Sequence, residues 1–369
     1  MTTVLPTDIC IAGGGTGGHV MPALALADAA RLAWPNVQVS FIGAERGLEA
    51  RLLPERGESV LLLTMHAVKG SGWLQAARVL GWELPVAVLK IRKSWAGQKP
   101  KVLVGVGGYA SVAGVVAALI SRVPVVLYEQ NAIPGLVNRQ LHRFCHTMML
   151  GFAAAKQQLN SMDRVAVTGN IVRQSIKDVQ RLPQDKPTLL MMGGSQGAMF
   201  LNETMPKVCA KLAAAGFDFR VVHLVGAGQG RVEAVLSIYA KAGIEAEVMA
   251  FCEDMPSLYA KASLMIARSG AMTVCEAAAV GIPAMFVPLP SAADNHQYFN
   301  AKALADMGAA VILSQDESDE TTLEKKVADV LFQPQKLADM ARASRSAFIK
   351  NADELQLQVL APFLTEVHT

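Results

Sequence analysis

Residues 8–20 of this 369-residue chain read Asp-Ile-Cys-Ile-Ala-Gly-Gly-Gly-Thr-Gly-Gly-His-Val. A short apolar run is followed by five glycines within six residues, and an Ala- and Leu-rich stretch then continues to Ala33. This pattern predicts a strand over Asp8–Ala12, a tight turn, and a helix over His19–Ala33. Glycines in such a turn allow the backbone to approach a phosphate closely, and the start of the helix offers free N–H groups.

The same alternation of short apolar runs and Ala- and Leu-rich stretches continues along the chain. Runs that are hydrophobic throughout are typical of parallel strands covered on both faces. A polar segment with two prolines, residues 178–187, separates two series of such runs and predicts a linker. The further predicted strands are Val37–Ile42, Val102–Val106, Val123–Tyr128, Thr188–Met192, Phe219–Leu224, Glu247–Ala250, Leu264–Ala267 and Ala284–Val287.

A weak internal repeat indicates two similar domains. Gly14–Gly18 and Gly193–Gly197 both fit the pattern Gly-Gly-[Ser/Thr]-x-Gly, and each follows a predicted strand. The sequence therefore predicts an α/β fold made of two Rossmann-like domains, residues 1–173 and 174–347, with parallel sheets that face each other across a cleft.

The composition excludes several classes of protein. Charged residues make up 18% of the chain and the net charge is +3, which excludes a disordered chain and a strongly basic nucleic-acid binder. The charge is uneven, because residues 1–173 carry 17 basic and 9 acidic side chains and residues 174–369 carry 17 and 22. We therefore expect the first domain to meet an anionic partner. An uncharged run, Val102–Ser121, is interpreted as strand, turn and helix rather than as a membrane span.

Much of the positive charge lies between residues 69 and 101, where seven basic side chains accompany one acidic side chain and three tryptophans, Trp73, Trp82 and Trp95. Apolar side chains beside a cationic rim are typical of sites that contact an anionic lipid surface. An amphipathic helix packed on the first sheet explains the aliphatic residues equally well. The predicted membrane patch comprises Trp73, Trp82, Lys90, Arg92 and Lys93.

The first glycine turn has more than one chemical interpretation. Gly13–Gly18 matches the dinucleotide-binding fingerprint, with Glu45 as its acidic residue, although Glu45 comes somewhat late. A turn that serves only helix packing is the plainer alternative. The positive end of a helix favours neutral imidazole, so His19 suits a general base, or it serves only as a hydrogen-bonding side chain.

The second domain offers a further set of polar residues. Residues 264–276 read as a strand, a small-residue turn and a helix start, which places Glu276 early in that helix. A carboxylate there can accept hydrogen bonds from ribose hydroxyls, although complementarity to the helix dipole also explains it. The cluster Asp294–Gln297 fits sugar recognition or a solvated loop. No metal site is predicted, because no carboxylate completes the group of His142, Cys145 and His146.

Six motifs occur in a fixed order: Gly13–His19, Gly105–Ser111, Glu129–Asn131, Gly169–Arg173, Gly193–Ala198 and Arg268–Thr273. Together they resemble the bacterial family of undecaprenyldiphospho-muramoylpentapeptide β-N-acetylglucosaminyltransferases, over roughly residues 8–310. The resemblance implies a GT-B fold, in which the C-terminal helix, over about residues 348–369, packs back on the first domain.

The resemblance also implies a reaction. N-acetylglucosamine would pass, with inversion, from UDP-N-acetylglucosamine to the C4 hydroxyl of the muramoyl sugar of lipid I, giving lipid II for peptidoglycan synthesis. No cofactor and no nucleic-acid partner are implied. The enzyme would lie peripherally on the cytoplasmic face of the plasma membrane, where other cell-wall synthesis proteins are candidate partners.

Residue roles follow from the same resemblance. Cys252 would contact the uracil through its backbone, and Glu276 would bind the ribose hydroxyls. The catalytic candidates are Tyr109, Asn131 and, as the base favoured by its position, His19. The candidate donor-binding residues are Thr16, Gly17, Gly18, Asn131, Arg173, Ser195, Cys252, Arg268, Ala271, Met272, Thr273, Val274, Cys275, Glu276, His296 and Gln297.

Two alternatives stay open at this point. A UDP-N-acetylglucosamine 2-epimerase on the same fold would use the donor pocket without a lipid acceptor. A dinucleotide-binding oxidoreductase, or a non-catalytic nucleotide sensor, rests on the first glycine motif alone. It leaves the second glycine turn and the Trp-rich segment unexplained.

Overall fold

The computed structural model describes residues 7–66, 78–159, 163–194, 197–316 and 319–364. The chain forms two compact units. Unit 1 consists of the residues up to Ile171 together with those from Asn351 onward, and unit 2 is Val172–Lys350. The structure thus divides the chain two residues before the boundary that the sequence predicts.

Unit 1 is built on a seven-stranded sheet. Its strands are β1 (Ile9–Gly13), β2 (Val39–Ala44), β3 (Val60–Leu63), β4 (Val102–Gly107), β5 (Val125–Glu129), β6 (Thr147–Leu150) and β7 (Val165–Val167). All neighbouring strands pair in parallel, in the order β3-β2-β1-β4-β5-β6-β7. The central strands β1, β4 and β5 are almost completely buried, as a parallel sheet covered by helices on both faces requires.

Helices of unit 1 follow the strands in alternation. They are α1 (Gly17–Ala33), α2 (Glu49–Glu55), α3 (Leu84–Ser94), α4 (Tyr109–Ser121) and α5 (Leu136–Leu141), and a π-helical turn, Val79–Glu83, leads into α3. The buried face of α3 carries Val88 and Ile91, and Trp95, the residue directly after this helix, is 2% exposed within the core. Trp95 therefore belongs to the packing of unit 1 and is not one of its surface tryptophans.

Unit 2 repeats the same construction with six parallel strands. They are β8 (Thr188–Met192), β9 (Arg220–Leu224), β10 (Glu245–Met249), β11 (Leu264–Ala267), β12 (Ala284–Phe286) and β13 (Ala310–Ile312), in the order β10-β9-β8-β11-β12-β13. Its helices are α6 (Gln174–Lys177), α7 (Met199–Ala214), α8 (Arg231–Lys241), α9 (Met255–Lys261), α10 (Ala271–Val280), α11 (His296–Ala305), α12 (Glu320–Leu331) and α13 (Pro334–Ala347).

The last helix, α14 (Ala352–Leu364), belongs to unit 1 although it follows unit 2 in the chain. It contacts α1, β4 and β6. Leu360 is fully buried there, and the Gln356 side-chain amide donates to the Gly169 carbonyl at 2.8 Å. The C-terminal helix is thus tied to unit 1 by apolar packing and by a buried hydrogen bond.

The predicted α/β class with two Rossmann-like, parallel-sheet domains is confirmed. Every predicted strand is present with ends shifted by a few residues, and Val102–Ser121 forms a strand, a turn and a helix. The strands β3, β6, β7 and β13, each of three or four residues, were not predicted. Among the described residues, no helix is long and apolar enough to cross a membrane.

Candidate functional site

In each unit the strand order reverses at one point. In unit 1 the chain runs outward from β1 through β2 to β3 and then returns to β4 on the other side of β1, and unit 2 repeats this with β8 and β11. Loops that leave two such strands in opposite directions form a crevice at the carboxyl edge, where open α/β sheets bind ligands. The loops at these two points are Gly13–Gly18 and Gly107–Tyr109 in unit 1, and Gly193–Gly194 and Arg268–Ala271 in unit 2.

His19 lies at the unit 1 crevice, in the first turn of α1. The exposed Thr16 caps this helix, Gly17 and Gly18 begin it, and His19 Nδ1 lies 3.4 Å from Thr16 Oγ1. A Cβ on Gly107 would lie 2.9 Å from His19 Nε2, so glycine at 107 leaves room for the half-buried ring. Tyr109 begins α4 two residues later. The structure therefore brings the candidate base and Tyr109 to the same edge of the sheet.

Asn131 follows β5 at this edge and is held by Glu129, which is 2% exposed. Glu129 Oε1 accepts from the Asn131 backbone N–H at 3.0 Å and from its side-chain amide at 3.1 Å. Glu129 Oε2 accepts from the Gly135 N–H and from the Asn138 amide at 2.9 and 2.8 Å. Neither Glu129 nor Asn138 was predicted as a site residue, although the Glu129–Asn131 motif contained the first of them.

The first glycine turn holds a carboxylate that the sequence did not predict. Glu45 follows β2 as expected, but it accepts a hydrogen bond from the Thr64 hydroxyl at 2.8 Å. The carboxylate at the turn is Glu49, whose Oε2 accepts from the Gly15 N–H at 2.8 Å. Glu45 thus lies directly after β2, as the sequence predicts, and a different carboxylate, Glu49, contacts the glycine turn.

Glu276 lies in α10 of unit 2 beside two polar side chains. The Tyr259 hydroxyl donates to Glu276 Oε2 at 2.7 Å, and Arg173 Nη2 lies 3.9 Å from Glu276 Oε1. Burial raises the pKa of the Glu276 carboxyl, and the Tyr259 hydrogen bond and the Arg173 charge oppose part of that rise. Tyr259 comes from α9, so its role was not visible from the local sequence.

Arg268 and Gln297 converge on one loop, the segment that follows β12. Arg268 Nη1 donates to the carbonyl oxygens of Val287 and Pro288, at 3.0 and 3.1 Å. Gln297 Oε1 accepts from the Leu289 N–H at 3.0 Å. Both side chains therefore shape the loop at the carboxyl edge. His296 begins α11, and its Nδ1 lies 2.8 Å from the Ala293 carbonyl oxygen.

The remaining donor-binding candidates differ in how far they are exposed to solvent. Met272 and Thr273 are half-buried in the first turn of α10, and Cys252 is half-buried between β10 and α9. Three candidates, Ala271, Val274 and Cys275, are buried, and the Val274 N–H already donates to the Gly270 carbonyl. Ser195 lies outside the described residues.

The predicted membrane patch falls on the π-helical turn and α3. Leu80, Trp82, Val86 and Leu89 are exposed apolar side chains, and Trp82 is 70% exposed. Exposed basic side chains accompany them, namely Arg78, Lys90, Arg92 and Lys93. These eight residues are called the cationic apolar strip below. Trp73 lies outside the described residues.

No group of three or more His, Cys, Asp or Glu side chains in the described part of the chain could hold a metal ion. His142 Nδ1 instead lies 2.8 Å from the Arg139 carbonyl oxygen, and the buried Cys145 thiol donates to the His142 carbonyl.

Comparison with known protein families gives a match in both units. The glycosyltransferase family 28 N-terminal domain matches residues 9–150, and the family 28 C-terminal domain matches residues 188–356. A relative from Syntrophotalea carbinolica is 37% identical over 95% of this chain and 97% of its own length. That protein is named UDP-N-acetylglucosamine--N-acetylmuramyl-(pentapeptide) pyrophosphoryl-undecaprenol N-acetylglucosamine transferase.

Solved structures agree with this match. The crystal structure of MurG from Acinetobacter baumannii superposes with a TM-score of 0.80 and 31% identity, covering 97% of this chain and all of that one. A UDP-N-acetylglucosamine 2-epimerase superposes with a TM-score of 0.67 at 16% identity, over 98% and 97% of the two chains, which shows a shared fold and no more. The two units thus correspond to the two domains of a GT-B glycosyltransferase. The chain belongs to glycosyltransferase family 28.

Proposed function

We propose that this chain transfers N-acetylglucosamine from UDP-N-acetylglucosamine to the C4 hydroxyl of the muramoyl sugar of undecaprenyl-linked lipid I, and so forms lipid II. The observation that carries the proposal is the 37% identity, over nearly the full length of both chains, to a protein named for this transfer. The placement of the two glycine turns at the two points of strand reversal supports it.

Unit 2 would hold the donor at the carboxyl edge of its sheet. The ribose hydroxyls would donate to Glu276, which Tyr259 and Arg173 orient, and the backbone of Cys252 would contact the uracil. The diphosphate would lie at the N-terminus of α10, beside the second glycine turn and Ser195. Free N–H groups and the helix dipole there stabilise negative charge on the leaving group, and we infer that the reaction needs no metal or other cofactor.

Unit 1 would hold the acceptor and supply the base. The acceptor C4 oxygen attacks C1 of the sugar, the C1–oxygen bond to the diphosphate breaks, and UDP leaves with the electron pair, so the configuration at C1 inverts. His19 takes the proton of the attacking hydroxyl. Tyr109 and Asn131 lie at the same sheet edge and are proposed to contact the acceptor, and Glu129 keeps the Asn131 side chain in place.

Ligand binding separates this proposal from a dinucleotide-binding oxidoreductase. We expect UDP-N-acetylglucosamine to raise the thermal midpoint of unfolding in a concentration-dependent manner, because it binds only the folded protein. NAD should leave the midpoint unchanged. Stabilisation by NAD, without an effect of the UDP-sugar, would contradict the proposal.

Replacing Tyr259 by phenylalanine should raise the KM for UDP-N-acetylglucosamine about tenfold, because a hydrogen bond to a charged group contributes about 1.5–3 kcal/mol. The hydroxyl holds the carboxylate form of Glu276, so its loss raises the pKa of Glu276 further. As the pH is lowered, the variant should therefore lose donor binding at a higher pH than the wild type does. Initial rates between pH 5 and 9 measure both effects, and an unshifted acidic limb would exclude this role of Tyr259.

We also propose that the cationic apolar strip contacts the cytoplasmic surface of the plasma membrane, where the lipid-linked acceptor resides. Trp82, Leu80, Val86 and Leu89 would enter the headgroup region, and the four basic side chains would meet anionic lipid. The net positive charge of residues 1–173 supports this orientation of unit 1 toward lipid. Other cell-wall synthesis proteins are proposed partners at the same membrane.

Replacing Trp82, Arg92 and Lys93 together by alanine should lower the partition coefficient onto phosphatidylglycerol-containing vesicles about 10- to 100-fold, since each basic residue contributes about 1 kcal/mol and the indole adds apolar area. Sedimentation with vesicles measures this, and UDP binding should not change. The control variant removes Leu32 and Arg51, an exposed apolar and an exposed basic residue elsewhere on unit 1. Equal binding of both variants would exclude the strip as the contact surface.

A further inference from the structure

We propose that Glu49 is a positioning residue, which takes up the Gly15 N–H of the first glycine turn and fixes that turn for Thr16 and His19. The inference rests on the proposed function, because it assigns His19 the role of base. Glu49 is 1% exposed and begins α2, outside the motifs that the sequence singles out.

Two loops hold the Glu49 carboxylate by their backbones. Oε2 accepts from the Gly15 N–H at 2.8 Å, and Oε1 accepts from the Ala44 N–H, just at the end of β2, at 2.9 Å. Among the described residues no lysine or arginine forms an ion pair with it, so backbone N–H groups meet its charge. A buried carboxylate with such partners is expensive to move, because any displacement leaves the charge and both donors unsatisfied.

Glycines leave the space that this side chain fills. A Cβ on Gly14 or on Gly47 would lie 2.2 Å from a carboxylate oxygen, and a Cβ on Gly43 would lie 2.4 Å from Glu49 Cγ. The three glycines come from β2, from the loop after β2 and from the turn after β1, yet they surround a single side chain. The surroundings are thus complementary to a glutamate in one position.

Glu49 occupies one backbone donor of the first glycine turn. The Gly15 N–H is the kind of donor that binds pyrophosphate in a dinucleotide-binding turn, and here the chain's own carboxylate takes it. The negative charge of that carboxylate opposes a second anion at the same place.

Further contacts of the same turn fix the position of the proposed base, His19. The Gly14 N–H donates to the Gly107 carbonyl at 3.3 Å, and a Cβ on Gly108 would lie 2.6 Å from the Gly14 carbonyl oxygen. Gly14 and Gly15 are therefore fixed between Glu49 on one side and the loop before α4 on the other. The chain enters α1 directly from this turn, so the carboxylate sets where Thr16 and His19 lie.

Two substitutions disturb this arrangement from different elements. Glu49→Ala removes the carboxylate, and Gly47→Ala adds a methyl group that collides with Oε2. Each should lower kcat about 10- to 100-fold, the loss that a displacement near 1 Å causes in a catalytic group. The Kd of UDP-N-acetylglucosamine, measured by calorimetry, should not change. The double variant should be no slower than Glu49→Ala alone, because the added methyl then meets no carboxylate.

Glu55→Gln, an exposed change on the same helix, is the matched control and should keep wild-type kcat. Glu49→Gln keeps one acceptor oxygen and should fall between the wild type and Glu49→Ala. Three results would overturn the proposal. They are wild-type kcat in Glu49→Ala, a loss of kcat in the double variant equal to the product of the two single losses, and loss of folding even in Glu49→Gln. A wild-type enzyme that transfers no sugar would refute the proposed function instead.

Discussion

Replacement of His19 by alanine is expected to lower kcat by about 100- to 10,000-fold, the range that a positioned general base contributes. The ring is half-buried beside Gly107, with Nδ1 near the Thr16 hydroxyl, at the point where the strand order of unit 1 reverses. Donor binding should change little, because the residues proposed to hold the uracil, the ribose and the diphosphate lie in unit 2. Transfer to a lipid I analogue under saturating donor measures kcat, and calorimetry measures donor binding.

Added imidazole distinguishes a missing base from a damaged fold. It should restore part of the activity of His19→Ala, because a free base can occupy the space of the deleted ring, and it should not restore Glu49→Ala. Wild-type kcat in His19→Ala would assign the base to another residue.

Replacement of Glu276 by alanine should raise the KM for UDP-N-acetylglucosamine about 100-fold or more, since hydrogen bonds to a charged group contribute about 1.5–3 kcal/mol each and two ribose hydroxyls are involved. The change also leaves the Tyr259 hydroxyl and Arg173 without their acceptor. Rates at saturating donor should fall much less, because the carboxylate lies on the ribose and not on the reacting atoms.

Glu276→Gln separates charge from shape and should give an intermediate KM. The matched control is Glu233→Ala, an exposed glutamate in the first turn of α8, which should retain the wild-type KM. An unchanged KM in Glu276→Ala would show that Glu276 does not bind the ribose.

The sequence could predict the parts of the fold that are locally encoded. The runs that became β1, β4, β8 and β11 are mostly apolar and are followed by glycine within three residues. Both the strands and the turns at their carboxyl ends could therefore be predicted. Spacing alone could also have separated the tryptophans. Val88, Ile91 and Trp95 lie three and four residues apart, the spacing of one helix face, and all three are buried, the first two on α3 and Trp95 directly after it.

Other features depend on contacts between distant parts of the chain. Glu49 meets Gly15 across 34 residues, and Tyr259 meets Glu276 across 17, so neither pair leaves a motif. The sequence does contain the glycines at 14, 43 and 47, but only the folded structure shows that all three leave space for the Glu49 side chain. Arg268 is predicted to bind the donor, and its two carbonyl contacts with the loop after β12 could not be predicted from the local sequence.

Transfer of radiolabelled N-acetylglucosamine from UDP-N-acetylglucosamine to a lipid I analogue tests the central claim most directly. The account predicts that the label enters the lipid fraction in a β-linkage to the muramoyl C4 oxygen, with one UDP released for each sugar transferred. Label that stays in the nucleotide-sugar pool, with conversion of the donor to its 2-epimer and no lipid product, would contradict the account.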